Sequence, residues 1–256
     1  MPDPSEYRSL SPELLAEFSA GAGHDLNNPL AAVSGRVQLL LREETDPAKR
    51  ADLAVILTQV KRAQDMIADL RLTARPPLPE KKRFRLTDFW EKLRESFAER
   101  FRQQGVAFLV RELKPEDPSE TGAETQTGKE AAGTEAAKTG TDSSELFADE
   151  TQMMVLFRAL VKNSLRALGG PGEIAISYRR RPENTVTEIF VTDSGTGIPA
   201  EIRPFIFDPY FSSYQSGRGL GFGLTKARIL AKMHGGDVVF DETADQTTFR
   251  VTISDT

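Results

Sequence analysis

From Leu53 to Ala74 the apolar residues recur at steps of three and four without a break: Leu53, Ile56, Val60, Ala63, Ile67, Leu70 and Ala74. That is a heptad seam, and Arg75-Pro76-Pro77 stops it because proline cannot continue a helix. The preceding stretch, Leu10 to Leu41, carries the same kind of stripe through Leu15, Phe18, Ala22, Leu26, Leu30, Val33, Val37 and Leu40. Ser11-Pro12-Glu13 is a helix start, and Asp46-Pro47 marks a short turn between the two segments. Two helices so joined form an antiparallel hairpin. A lone hairpin cannot cover its own apolar stripe, so two chains pairing into a four-helix bundle is the expected solution. The chain is therefore expected to be a homodimer.

A second domain is expected after a proline-rich linker at Pro76–Lys82. Phe84–Leu86 reads as a short strand, Thr87 as a helix cap, and Phe89, Leu93, Phe97 and Phe101 as one face of a helix that Gly105 ends. Val106–Arg111 reads as a strand. Residues 115–144 hold almost nothing but Glu, Thr, Gly, Ala, Ser, Lys and Asp, too little apolar surface to offset ordering entropy, and are expected to form a disordered insert. A helix from Glu150 to Leu168 follows, then strands at Glu173–Arg179 and Val186–Thr192. A short helix near Glu201, a helix at Leu224–Met233 and closing strands at Asp237–Asp241 and Thr247–Ser254 complete a mixed sheet with helices on one face. The expected organisation is a tail at 1–9, a helical hairpin at 10–78 and an α/β two-layer sandwich at 79–256.

Composition narrows the functional classes. The chain of 256 residues has no cysteine, so disulfides, thiolate chemistry and sulfur-ligated metals are excluded. A net charge of −5 gives no footprint for nucleic acid or an anionic membrane. Met1–Ser5 lacks the pattern of a secretory leader, no apolar run approaches the roughly 20 residues of a membrane span, and no sensory domain of recognisable size is expected before Leu10 in this sequence. A cytoplasmic location and no membrane contact are expected.

Four stretches can carry chemistry. His24, in Gly23-His24-Asp25-Leu26-Asn27-Asn28-Pro29-Leu30, is one of only two histidines. It lies two residues from both Ala22 and Leu26, about 200° around the helix, so it is expected to face away from the seam. Pro29 is expected to kink the helix there. A lone exposed histidine is commonly inert surface. Asn163 sits mid-helix, where asparagine is ordinarily a surface or capping residue. Asp193-Ser194-Gly195-Thr196-Gly197-Ile198-Pro199 follows a strand end and is readable as an Asx turn. Gly217-Arg218-Gly219-Leu220-Gly221 opens into a helix; it is either a tight turn or a phosphate cradle, since glycines let backbone N–H groups approach an anion. Their order permits the parts a nucleotide needs: base reader, metal ligand, phosphate cradle. His234, before Gly235-Gly236, reads as a helix-end residue favoured by the dipole.

In that order these stretches resemble the sensor histidine kinases of two-component systems. His24–Leu30 is similar to the family's H box, Ala148–Ser164 to its N box, Asp193–Ile198 to its G1 box, Phe207-Asp208-Pro209-Tyr210-Phe211 to its F box and Gly217–Gly221 to its G2 box. The Asp/Asn-rich H box is nearest in style to the nitrogen-assimilation regulators. The resemblance spans about Leu10 to Ile253 apart from the insert. It implies a dimerisation and phosphotransfer hairpin followed by an ATPase fold of the gyrase and Hsp90 type. It further implies that His24 accepts phosphate from ATP, that Asp25 orients its ring, and that Asn28 positions a water for dephosphorylating the partner. Asn163 would ligate Mg²⁺, Asp193 would accept from the adenine amino group, and Gly195 and Gly197 would shape the base pocket. Gly217, Gly219 and Gly221 would close a lid that Phe207 and Phe211 pack, and the partner would be a response-regulator receiver domain. Two positions depart from the pattern. Ala159 stands where the gyrase type has a water-activating Glu, in keeping with transfer to His24. Tyr214 stands where a lysine is frequent, so Arg218 or Lys226 would supply the charge. Tyr214 motivates a second reading, a nucleotide-binding scaffold or phosphatase-biased degenerate kinase.

Overall fold

A computed structural model describes residues 12–113, 145–181, 185–211 and 221–255, and for 12–24 the backbone alone. The expected tail at 1–9, the Ser11 cap and the insert at 115–144 lie outside the described residues. The chain divides into two units, one comprising the residues up to Leu78 with Glu201–Ile229, the other Pro79–Ala200 with Leu230–Thr256.

The first unit is built on the helical hairpin. Helix α1 spans Pro12–Glu43 and helix α2 Pro47–Ala74. Their turn is fixed by side chains. The Asp46 carboxylate accepts from the Ala48 N–H at 2.8 Å, and Pro47 occupies the first helical position, where no N–H is needed. The Glu44 carboxylate accepts from Thr45 and Asp46, and the Arg50 guanidinium donates back to the carbonyls of Leu41 and Glu44. Those carbonyls have no partner within α1, so Arg50 closes its end. Helix α1 runs through Pro29. Val37 and Val60 are buried between the helices, but Leu26, Val33, Leu40 and Ile56, all on the predicted stripes, are exposed in the single chain.

The second unit is a two-layer sandwich. Strands β1 (Lys82–Arg85) and β3 (Glu145–Ala148) pair antiparallel as a small ribbon. The main sheet contains β2 (Val106–Glu112), β4 (Gly172–Arg181), β5 (Val186–Asp193), β6 (Asp237–Phe240) and β7 (Thr247–Ser254) in the order β2-β4-β5-β7-β6. Among the described residues only β2 and β4 run parallel, so the sheet is mixed as expected. Strand alternation puts Ile174, Ile176, Tyr178, Ile189, Val191, Phe249, Val251 and Ile253 on the inner face. Helix α5 (Glu150–Leu168) covers it with Met153, Leu156, Phe157, Leu160 and Leu165. Trp90 fixes one corner, edge-on to Phe89 at 4.9 Å and to Phe157 at 4.8 Å.

The structure corrects three local expectations. Thr87 is not a cap: helix α3 (Leu86–Glu95) begins before it, at Arg85, with no side-chain cap bond. The helix expected from Phe89 to Phe101 is two, because the Ser96 hydroxyl bonds the Leu93 carbonyl at 2.8 Å and the chain turns before α4 (Ala98–Gln104). That turn lets Phe97 and Phe101 both be buried. His234, at the end of helix α6 (Gly223–Met233), is structural but not as a cation at a dipole. It is fully buried, Nδ1–H donates to the Leu230 carbonyl at 2.8 Å, and Nε2 accepts the Asp149 N–H at 3.1 Å. Burial, with Lys81 nearby, holds its pKa below the ordinary value, so the ring is neutral.

Candidate functional site

The best-defined chemistry in the second unit lies where α5 meets the end of β5. Asp149 caps α5 by accepting from Gln152 at 3.1 Å, and its other oxygen accepts the Glu80 N–H at 2.9 Å. Nearly four turns on, Asn163 is half-buried and its neighbour Ser164 fully buried. The Ser164 hydroxyl donates to Asp193 Oδ2 at 2.8 Å, so α5 and β5 are stitched at this point. Asp193 is 1% exposed, and its Oδ1 accepts the Gly195 N–H at 3.1 Å. Burial raises the pKa of its carboxyl, and the bonds from Ser164 and Gly195 act against that rise.

The loop after Asp193 needs glycine for a spatial reason. A Cβ on Gly195 would lie 2.7 Å from Asp193 Oδ1 and 3.0 Å from the Ala167 backbone. Without that clearance the loop could not fold over the carboxylate onto α5. Gly197 follows with φ +83°.

Sequence reasoning missed two groups here. Ser164 is one. Thr247 is the other: it is the register partner of Asp193 across β5 and β7, so both side chains leave the inner face of the sheet. Its hydroxyl is buried without a hydrogen-bond partner among the described residues. Both were legible from periodicity. Ser164 falls on the stripe of Phe157, Leu160 and Val161, and Thr247 on the alternation of Phe249, Val251 and Ile253. A hydroxyl on an apolar face requires a partner, and that requirement is the signal. A carboxylate has about four lone-pair sites and Asp193 uses two, so it can still accept from an amino group while Thr247 donates beside it. Ala159 is buried in the same helix and offers no acid to activate water.

The aromatic stretch and Gly221, the last residue of the glycine-rich stretch, meet in the first unit. Ala200–Phe205 is a 3₁₀ turn, and beyond it Phe207 is clamped at two points. The Thr225 hydroxyl donates to the Phe207 carbonyl at 2.9 Å, and the Arg228 guanidinium lies 4.9 Å from the Phe207 ring centroid. Phe211 packs on Phe205 at 6.1 Å, and Tyr210, with φ +64°, packs edge-on against Phe222 at 4.6 Å. Gly221 has φ +74°, and a Cβ there would lie 2.4 Å from both the Tyr210 and Phe211 backbones. The F-box strip and the end of the glycine stretch are thus one packed unit that begins α6. Gly217, Arg218, Gly219 and Tyr214 lie outside the described residues. Lys226, the alternative to Arg218 as a replacement cation, is ion-paired to Asp69 of α2 at 2.5 Å.

His24 lies on α1, and only its backbone is described. The exposure expected of its side chain therefore falls outside the described residues. Asp25 and Asn28 are both exposed. Among the described residues no helix is long and apolar enough to cross a membrane, and no group of three metal-ligating acids or histidines occurs.

Comparison with known proteins matches two family models in tandem along the chain. Residues 14–77 match the family model described as the His Kinase A (phospho-acceptor) domain. Residues 148–256 match the histidine kinase-, DNA gyrase B- and HSP90-like ATPase model. Among curated relatives, the signal transduction histidine-protein kinase AtoS of Escherichia coli is 28% identical over 227 residues, 88% of this chain and 32% of that protein. The sensory histidine kinase/phosphatase NtrB of Rhizobium leguminosarum is 25% identical over 248 residues, 91% of this chain and 57% of that protein. The chain thus spans from about a third to three fifths of the length of these relatives. Among solved structures, full-length ShkA in complex with AMPPNP aligns over 93% of this chain and 45% of its own, with TM-score 0.72 and 16% identity. Histidine kinase ThkA in complex with the response regulator protein TrrA aligns over 98% of this chain and 66% of its own, with TM-score 0.60 and 21% identity. At those identities the structures establish a shared fold. With a phospho-acceptor hairpin and a gyrase-type ATPase domain in tandem, and histidine kinases as its relatives, the chain belongs to the sensor histidine kinases.

Proposed function

We propose that the chain is an ATP-dependent protein-histidine kinase core, with residues 10–78 as the dimerisation and phosphotransfer hairpin and 79–256 as the ATP-binding domain. The observation that carries this reading is the buried Asp193, held by Ser164 next to Asn163 inside the region that matches the ATPase model. A buried carboxylate with spare acceptor capacity suits an exocyclic amino group, and the unpartnered Thr247 hydroxyl beside it suits a ring nitrogen. Asp193 then reads adenine, and Gly195 and Gly197 shape the loop over it.

Asn163 is the residue assigned to Mg²⁺. One amide oxygen fits an ion that takes the rest of its shell from substrate phosphates and water rather than from a protein cage. Bound there, Mg²⁺ would neutralise charge on the phosphates. Gly217, Gly219 and Gly221 are assigned to a lid over the phosphates, Arg218 to its positive charge, and Phe207 and Phe211 to its packed base.

The acceptor is His24, inside the matched phospho-acceptor region. A neutral ring nitrogen attacks the γ-phosphorus in line, an N–P bond forms, and the bond to the ADP oxygen breaks. Asp25 holds the proton on the other ring nitrogen. The phosphoryl group then passes to an aspartate of a response-regulator receiver domain, and Asn28, one turn from His24, positions the water that later removes it. The exposed Leu26, Val33, Leu40 and Ile56 support a homodimer, because a second hairpin would cover them. The test is incubation with γ-labelled ATP and Mg²⁺. The expected label is acid-labile and alkali-stable, is absent from His24→Gln, and is lost in Asn163→Asp. ATP binding without any label would favour the scaffold reading that Tyr214 motivates.

A further inference from the structure

Within the first unit the lid base is tied to the hairpin by a charged contact. Lys226, in the opening turn of α6, donates to Asp69 of α2 at 2.5 Å, and their side chains are only 17% and 29% exposed. Lys226 directly follows Thr225, whose hydroxyl reaches the carbonyls of Phe207 and, at 3.5 Å, Gly221. A hold on Lys226 is therefore a hold on the F-box strip and the end of the glycine stretch together.

The position of Asp69 along the hairpin gives the contact its meaning. His24 lies about 21 residues before Thr45 in the turn, and Asp69 about 24 residues after it. At 1.5 Å of rise per residue the two backbone positions differ in height by roughly 5 Å, about one helical turn. Along α2, then, the anchor for Lys226 sits at the level of the acceptor histidine.

We propose that Asp69 and Lys226 are a positioning pair that sets the base of the nucleotide lid at the height of His24 for phosphoryl transfer. The proposal rests on the kinase reading above. The role assigned to the pair is positioning and not contact with the reacting atoms. Its contribution is alignment, to which in-line transfer is sensitive.

The test uses the full chain and reverses the charges, comparing Asp69→Lys, Lys226→Asp and the double variant. The readouts are the initial rate of His24 labelling and the affinity for a non-hydrolysable ATP analogue. Each single reversal is expected to lower the rate about fivefold, the scale of a partly exposed ion pair, with analogue affinity within about twofold of the parent. The double variant recovers most of the rate, and a rate loss matched by an equal loss of analogue affinity would mark a merely structural role and overturn the proposal. Single variants that label at the parent rate or faster, or a double variant no better than the singles, overturn the pairing. If the parent chain takes no label at all, it is the kinase reading that fails, and the positioning role falls with it.

Discussion

Replacing Ser164 by alanine tests the nucleotide site at its most buried bond. The hydroxyl lies 2.8 Å from Asp193 Oδ2, and both side chains are almost wholly shielded from water. Its removal leaves the carboxylate with the Gly195 N–H alone. A hydrogen bond to a charged group contributes about 1.5–3 kcal/mol. The loss carries a definite pH dependence. Burial already raises the Asp193 pKa above 3.8, and Ser164 is one of the two groups opposing that rise. The folded state therefore holds the proton more tightly than the unfolded chain, and stability falls as pH rises through the folded pKa. Without Ser164 that pKa rises further, so the cost of the substitution is full at neutral pH. It shrinks in acid, where the carboxyl is protonated in both proteins. The assay is urea unfolding followed by fluorescence of Trp90, the only tryptophan, which is buried in the same unit. The expected destabilisation near pH 7 is about 1.5–3 kcal/mol, narrowing as pH falls below the folded pKa. A cost that is the same at every pH would refute the argument, because it would make Ser164 a packing residue and not a partner of the charge.

Three further outcomes follow from named contacts. Gly221→Ala must accommodate a methyl group 2.4 Å from the Tyr210 and Phe211 backbones at φ +74°, so nucleotide-dependent labelling should fall at least tenfold while Trp90 fluorescence stays native. Its strain of about 1–3 kcal/mol is confined to the lid base. His234, whose folded pKa is depressed below 6.5, stabilises the neutral-pH protein and loses that contribution as pH falls below 6.5. Unfolding free energy measured against pH should therefore decline below about 6.5 in the parent chain and less so in His234→Gln. Thr247→Val removes an unpartnered buried hydroxyl, so stability should hold or rise slightly while affinity for an ATP analogue drops; unchanged affinity would remove Thr247 from the base-reading role.

Much of the fold was readable because the periodicities are long. The seam from Leu53 to Ala74 and the helix from Glu150 to Leu168 each have many repeats and clear stops, and both lie where the spacing predicts. The break between α3 and α4 was not readable. It depends on one hydroxyl, Ser96 on the Leu93 carbonyl, against an apolar spacing that runs straight through. The role of His234 was misread for a related reason. A helix-end histidine beside glycines looks like a cap, and only the tertiary arrival of the Asp149 N–H reveals a neutral acceptor. Asp193 and Asn163 stood out by their motifs, but the bond that joins their elements comes from Ser164, which closes the N-box stretch and was given no role there. Its signal was its placement on a buried stripe. The Asp69–Lys226 pair was beyond reach, since 157 positions separate the two residues and nothing local links them.

The central claim is that phosphate from ATP comes to rest on His24. The most direct measurement is to map the modified residue by peptide mass analysis under neutral to alkaline conditions, after incubation of the full chain with ATP and Mg²⁺. The account predicts a single phosphate on the peptide that contains His24-Asp25-Leu26-Asn27-Asn28, with the peptide containing His234 unmodified. Phosphate on a serine, threonine or any other residue, with His24 unmodified, would contradict it.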